Sequence, residues 1–150
     1  CNFEPDRLID LCSHAKVIPA VNQVEVHPFT QQKEAMQIMQ SLGVQIEAWA
    51  PFAEGMHGLF TDERLVNIGK RQGKSAAQVV LRWLMQRGIV AIPKSVRKER
   101  MEQNIDVEDV VLTADDMKTI AAIDLGKSLI LDLHAPKEVE RLSNMDCNNK

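Results

Sequence analysis

At 150 residues with 45% hydrophobic content, the chain has the size and apolar fraction of a single folded domain, which excludes extended disorder. A net charge of −3 and a pI near 5.8 exclude a general affinity for nucleic acid or for an anionic membrane surface, so any anion site must be local. Three cysteines without metal-type spacing, and no apolar run near the ~20 residues of a bilayer span, predict reduced thiols, no metal site and a cytoplasmic protein.

Glu4-Pro5-Asp6 opens a helix predicted to reach about Ala15, because proline suits the first helical position and carboxylates suit its positive end. Leu8, Ile9, Leu11 and Cys12 form its apolar stripe. A strand follows over 20–26, with Val24 and Val26 alternating against Asn22, Gln23 and Glu25 as polar groups aimed at one side, and His27-Pro28 ends it. Ala35, Met36, Ile38, Met39 and Leu42 predict a helix over 31–42, stopped by Gly43. Residues 44–50 read as a strand ended by Pro51, and 52–58 as a loop with two glycines.

Thr61, Asp62 and Glu63 open a helix to about Gln72. Ser75-Ala76-Ala77-Gln78 is a capping-box pattern for the next helix, which is apolar nearly all round, predicts deep burial and stops at Gly88. Ile89 to Ile92 read as a short strand covered on both faces, ended by Pro93. Ser95 can cap the helix behind it, and a phosphate placed there would meet backbone donors, Ser95, Lys94 and, further along, Arg100. The plain alternative is a solvated basic helix start. Thr113 begins another helix, faced by Met117, Ile120, Ala121 and Ile123 and ended by Gly126. A short helix is possible after Pro136, and the last eight residues are expected to be disordered.

Strands beginning near 20, 44 and 89, each followed by one or two helices, predict parallel pairing with helical crossovers. Cys1-Asn2 stands where Trp49-Ala50 and Lys94-Ser95 stand in their own units, as if the chain had just left a strand. The chain has no tyrosine, which removes a common acid catalyst, and it begins at Cys1, which is expected of a piece of something longer or of a trimmed product.

Cys1-Asn2-Phe3, the run from Asn22 to Pro28, Ala48-Trp49-Ala50-Pro51-Phe52 and Ile92-Pro93-Lys94-Ser95-Val96, with Arg100, Gln103 and Asn104 behind them, occur in order. Together they resemble the C-terminal half of an aldo-keto reductase, a family of (β/α)8 barrels that reduce carbonyls with NADPH. Trp49 looks most like the bacterial diketogulonate reductase branch. The resemblance implies an α/β fold over 1–144, about three and a half β/α units with an extra helix, and a C-terminal tail whose residues 145–150 are disordered.

By the same resemblance Asn2 and Gln23 hold the nicotinamide carboxamide, whose donor and acceptor amide side chains can match. Trp49 lies against the nicotinamide ring, and the backbone of Ala50, Pro51, Phe52 and Glu54 passes over the pyrophosphate. Lys94, Ser95 and Arg100 bind the ribose 2′-phosphate, which implies NADP(H), Val96 is a further cofactor contact, and Gln103 with Asn104 meets adenine. The family commonly has glutamate where this chain has Gln103 and serine where it has Cys1. Its acid catalyst is a tyrosine supported by lysine, aspartate and histidine, all from the first four strands, so no catalytic residue is expected here. His27 reads as a strand-end structural residue, and His14, His57 and His134 as incidental.

Half a barrel leaves two sheet edges and an apolar inner face. A missing N-terminal half, or a second copy, is therefore expected to cover them, and a truncated remnant is the favoured origin. The implied function is part of an NADPH-dependent oxidoreductase acting on a small aldehyde or ketone, inactive alone. The alternatives are a non-catalytic nucleotide-binding or subunit-like module, and a generic β/α fragment whose basic turn binds only buffer anions.

Overall fold

Proline opens the first helix as its fixed φ predicts: in the computed structural model, which describes residues 2–145, helix α1 runs over Pro5–His14 with Glu4 before it. Cys1 and residues 146–150 of the expected 145–150 tail lie outside the described residues. The apolar stripe of α1 is narrower than predicted. Leu8 is buried and Cys12 half-buried, on the side of α1 that packs towards the core and α2, whereas Ile9 and Leu11 are exposed.

Strands β1 (Val21–Glu25), β2 (Gln45–Trp49) and β3 (Val90–Ala91) pair in parallel in the order β1-β2-β3. Helix α2 (Lys33–Ser41) crosses from β1 to β2, and the pair α3 (Glu63–Lys70) and α4 (Ala76–Gln86) crosses from β2 to β3, as parallel pairing requires. After β3 come α5 (Lys98–Ile105), α6 (Ala114–Ala121) and α7 (Pro136–Ser143). No helix among the described residues is long and apolar enough to cross a membrane.

The pleat sorts the strand residues. Val24, Val26, Ile46 and Ala48 enter the core, while Gln23 and Glu47 point to the other face. Asn22 is therefore not grouped with Gln23 and Glu25 as the sequence suggested. It is buried beside Val24, and its amide is satisfied by the Phe3 carbonyl at 2.9 Å and the Phe3 N–H at 3.2 Å. The reading of 89–92 as covered on both faces is also corrected. Ile89 is buried, but Val90 and Ile92 are 45% and 54% exposed, because β3 ends the sheet and Ile92 opens onto a cleft and not onto a packed element.

The core is built around α4, where Val79, Val80, Trp83 and Leu84 are all buried; Met85 departs from the expectation and is exposed. The Ser75–Gln78 capping box forms as predicted. Asp62, not Thr61, caps α3: its carboxylate accepts the Arg64 N–H at 2.9 Å, while Thr61 closes a 3-10 turn over Leu59–Thr61. Gly126 does not end α6, which stops at Ala121. Thr113 and Asp116 form a reciprocal box at its start, and Arg71, the C-cap residue of α3, pairs with Asp116. Helix α7 begins at Pro136 as anticipated and includes Ser143, so ordered structure extends into the last eight residues.

Gly69 on α3 marks the tightest approach. A Cβ there would lie 2.4 Å from the Lys74 carbonyl oxygen, where the chain folds back between α3 and α4. Gly69→Ala is expected to destabilise the protein by about 1–3 kcal/mol through overpacking against backbone. A urea-unfolding midpoint unchanged from the parent protein would show that the turn can give way.

Candidate functional site

The C-terminal ends of β2 and β3 open onto a cleft of about 630 Å³. The loop after β2 supplies Ala50, Pro51, Phe52 and Glu54, the turn after β3 supplies Lys94 and Ser95, and α5 supplies Arg100, Gln103 and Asn104. Residues far apart in sequence thus meet on the face where parallel α/β proteins place their sites.

Proline ends β3 and turns the chain outward, which leaves Lys94 and Arg100 free to reach into the cleft. Neither makes an ion pair among the described residues, although Lys98 on the same helix pairs with Glu102 at 3.7 Å. Two uncompensated cations beside the start of α5, which has no side-chain cap, suit an anion with several acceptor oxygens. Glu54 is the single acidic side chain among the described lining residues.

Ser95 corrects the sequence reading in one respect. It does not cap α5; Arg97 occupies that position, and the Ser95 hydroxyl instead accepts the Arg97 N–H at 3.1 Å. This short turn fixes the approach to the helix and leaves Ser95 on the cleft wall. Val96 is 81% exposed and is not on that wall.

The loop after β2 is held in an unusual backbone. Ala50, Ala53, Glu54 and His57 have φ of 47°, 49°, 54° and 56°, a region that costs a non-glycine residue about 1 kcal/mol or more. Fully buried Ala53 and Leu59 pin it, helped by hydrogen bonds from Ala53 N–H to Ala50 and from Gly55 N–H to Phe52, both at 2.8 Å. The rings of Phe52 and Phe60 pack at 5.6 Å across its base. Strain retained in this way gathers at ligand-holding loops.

Asn2 before α1, Gln23 in β1 and Trp49 at the end of β2 form a second group. The Asn2 N–H donates to the Gln23 carbonyl at 2.8 Å, the Trp49 indole N–H donates to the Asn2 side-chain oxygen, and the Gln23 amide donates to Glu47. Trp49 adjoins Ala50, so the two groups are continuous through the end of β2. His27 is fully buried with its Nε2 against Glu25 at 3.0 Å, the packed environment of a structural residue.

Sequence reasoning missed Gly55, Phe60, Ser75, Ala76, Ala77 and Ile92 on the cleft wall. Ser75 carried a legible signal, but as a helix cap. That the start of α4 opens onto the cleft follows from tertiary placement alone.

The residues present fit a phosphorylated dinucleotide: cations at one end, amides beside them, a backbone strap between, and an indole with two carboxamides at the other end. A family model described as the aldo/keto reductase family matches residues 1–125. An aldo-keto reductase of Mycolicibacterium smegmatis is 41% identical over 128 residues, 85% of this chain and 46% of that one. A solved aldo-keto reductase from a Medee basin deep-sea metagenome library superposes with a TM-score of 0.84 at 36% identity, over 89% of this chain and 50% of its own. A Bombyx mori aldo-keto reductase in complex with NADP superposes at 0.80 and 32% identity, over 88% and 45%. The chain spans about half the length of the curated relatives it matches.

Proposed function

Because the chain belongs to the aldo/keto reductase family and covers about half of its barrel fold, we propose that it is the C-terminal half of such a barrel, carrying most of the NADP(H) site of a carbonyl-reducing enzyme. The observation that carries this reading is the convergence of unpaired Lys94 and Arg100 with Gln103, Asn104 and the 50–54 strap on one cleft.

Lys94 and Arg100 hold the ribose 2′-phosphate, with Ser95 beside them. Gln103 and Asn104 meet the adenine. Asn2 and Gln23 orient the nicotinamide carboxamide by exchanging their present bonds to Trp49 and Glu47, and the Trp49 ring covers one face of the nicotinamide. When bound, NADPH supplies the hydride for the carbonyl carbon of an aldehyde or ketone. The carbonyl oxygen also needs a proton. These 150 residues contain no tyrosine to give it, so the donor belongs to the other half of the barrel.

The same half covers the exposed face at Val90 and Ile92 and the free edges of the sheet. Relatives about twice this length support that reading. The working enzyme is a cytoplasmic oxidoreductase acting on a small carbonyl compound.

The adenosine end can be tested by itself. Titration with 2′,5′-ADP is expected to displace NADPH from the protein, whereas 5′-AMP at the same concentrations is not. Equal displacement by both would mean that Lys94 and Arg100 do not read the 2′-phosphate.

A further inference from the structure

We propose that the carboxylate of Glu25 is the group that docks the chain beyond Lys127 onto the sheet, and that it thereby positions Leu133 and His134 beside Asn2. The second part rests on the reading of Asn2 as a nicotinamide contact; the first does not.

Glu25 ends β1 with its side chain 4% exposed. One carboxylate oxygen accepts His27 Nε2 and the Leu129 N–H, each at 3.0 Å, and the other accepts the Ser128 hydroxyl. The Ser128 oxygen then accepts the N–H groups of Leu131 at 2.8 Å and Ile130 at 3.3 Å. A hydroxyl has one hydrogen and two lone pairs, and here all three are engaged. Every hydrogen bond from residues 128–131 to the sheet among the described residues ends on Glu25, either directly or through Ser128. The cluster is half polar network and half knot, since the tail's backbone turns around the same hydroxyl that the carboxylate holds.

Burial by itself pushes the Glu25 carboxyl up. The bonds from His27, Ser128 and Leu129 outweigh that effect and hold it below the ordinary glutamate value, so it stays an ionised acceptor. Upstream the chain is tied by other groups: Leu125 N–H to the Phe29 carbonyl at 2.9 Å, and the Thr30 hydroxyl to the Lys127 carbonyl at 2.8 Å. Beyond Ser128, Leu129 also packs against the core and His134 Nε2 lies 3.9 Å from the Glu4 carboxylate, so losing Glu25 should loosen the chain from Ser128 onward, and not before, without detaching it.

What the docked segment builds is a hollow of about 360 Å³, in which Leu133 and His134 face Asn2, Phe3, Glu4 and Arg7. The Asn2 side chain is the acceptor for the Trp49 indole, so the tail reaches the nicotinamide end of the proposed site. Glu25 acts there through the tail, as a positioning residue.

Amide hydrogen exchange on the whole protein, compared with Ser128→Ala, Ser128→Thr and Glu25→Gln, tests the docking. Ser128→Ala and Glu25→Gln are expected to speed exchange over 129–134 by about tenfold or more, the loss of a hydrogen bond to a charged group, with β1 and β2 unaffected. Ser128→Thr keeps the hydroxyl and is expected to restore protection. Unchanged exchange over 129–134 would overturn the proposal, and so would a loss of protection spread through β1 and β2.

The positioning role is read separately. Ser128→Ala should weaken NADPH severalfold while leaving 2′,5′-ADP, which lacks the nicotinamide end, unchanged. Equal affinity of parent and variant for NADPH would overturn it. If the parent protein binds no NADPH, the cofactor reading fails, and the exchange data still decide the docking.

Discussion

Replacing Lys94 and Arg100 together by alanine is expected to weaken NADPH binding by about 100-fold or more while changing NADH binding by about threefold at most. Charge-assisted hydrogen bonds to a phosphate contribute about 1.5–3 kcal/mol each, and two of them at the low end already give that ratio. The low end is appropriate because both side chains are exposed, so water and salt screen them. Raising ionic strength should for the same reason weaken NADPH more than NADH. Arg100→Lys keeps a charge but loses the planar fork, and should recover only part of the loss. Calorimetric titration of each variant with both nucleotides checks the ratio. Equal losses for NADPH and NADH would place the two cations on a shared part of the ligand, or only in the folding of the turn.

Trp83→Ala is expected to cost about 3–5 kcal/mol of stability, a large share of the ~5–15 kcal/mol that holds a domain together. Trp83 lies at the centre of α4 with 1% of its surface exposed. Its ring also carries the Arg87 guanidinium 4.6 Å from its centre. Burial pushes the Arg87 pKa down, an effect that Asp124 partly offsets, and the guanidinium donates to the Gln31 carbonyl at 2.7 Å. Removing the indole would leave a cavity and also strip a half-buried cation of its aromatic face. Trp83→Phe, which keeps a π face and most of the volume, should lose clearly less. Urea unfolding monitored by far-UV circular dichroism measures both, and a Trp83→Ala loss of about 1 kcal/mol or less would contradict the central packing role.

The order of strands and helices was legible because proline and glycine punctuate the chain at nearly every boundary. Pro5 and Pro136 start helices, Pro51 and Pro93 follow strands, and Gly43 and Gly88 carry the positive φ that ends α2 and α4. Burial was less legible, since it depends on neighbours. Ile9, Leu11, Val90 and Ile92 have apolar side chains that local pattern assigns to a core, but all four are exposed. Caps shifted by a residue or two: Asp62 takes the capping position that Thr61 was expected to hold, and Arg97, which makes no side-chain cap, stands where Ser95 was expected.

The cleft divides in the same way. Lys94, Ser95 and Arg100 lie within one strand-to-helix turn, so their meeting could be read from the chain. Phe60, Ser75 and Ala77 come to the cleft from other elements and could not. The Glu25 cluster was the least legible of all: its partners Ser128 and Leu129 are 103 and 104 residues away, and nothing in a strand ending Val-Glu-Val announces them.

The central claim is that this chain carries the end of a cofactor site that reads the 2′-phosphate. Isothermal titration of the unmodified 150-residue protein with NADPH and with NADH, under the same buffer and salt, tests it most directly. Saturable one-site binding of NADPH, at least about tenfold tighter than NADH, is the predicted result. Indistinguishable affinities for the two nucleotides, or no binding of either by a folded protein, would contradict it.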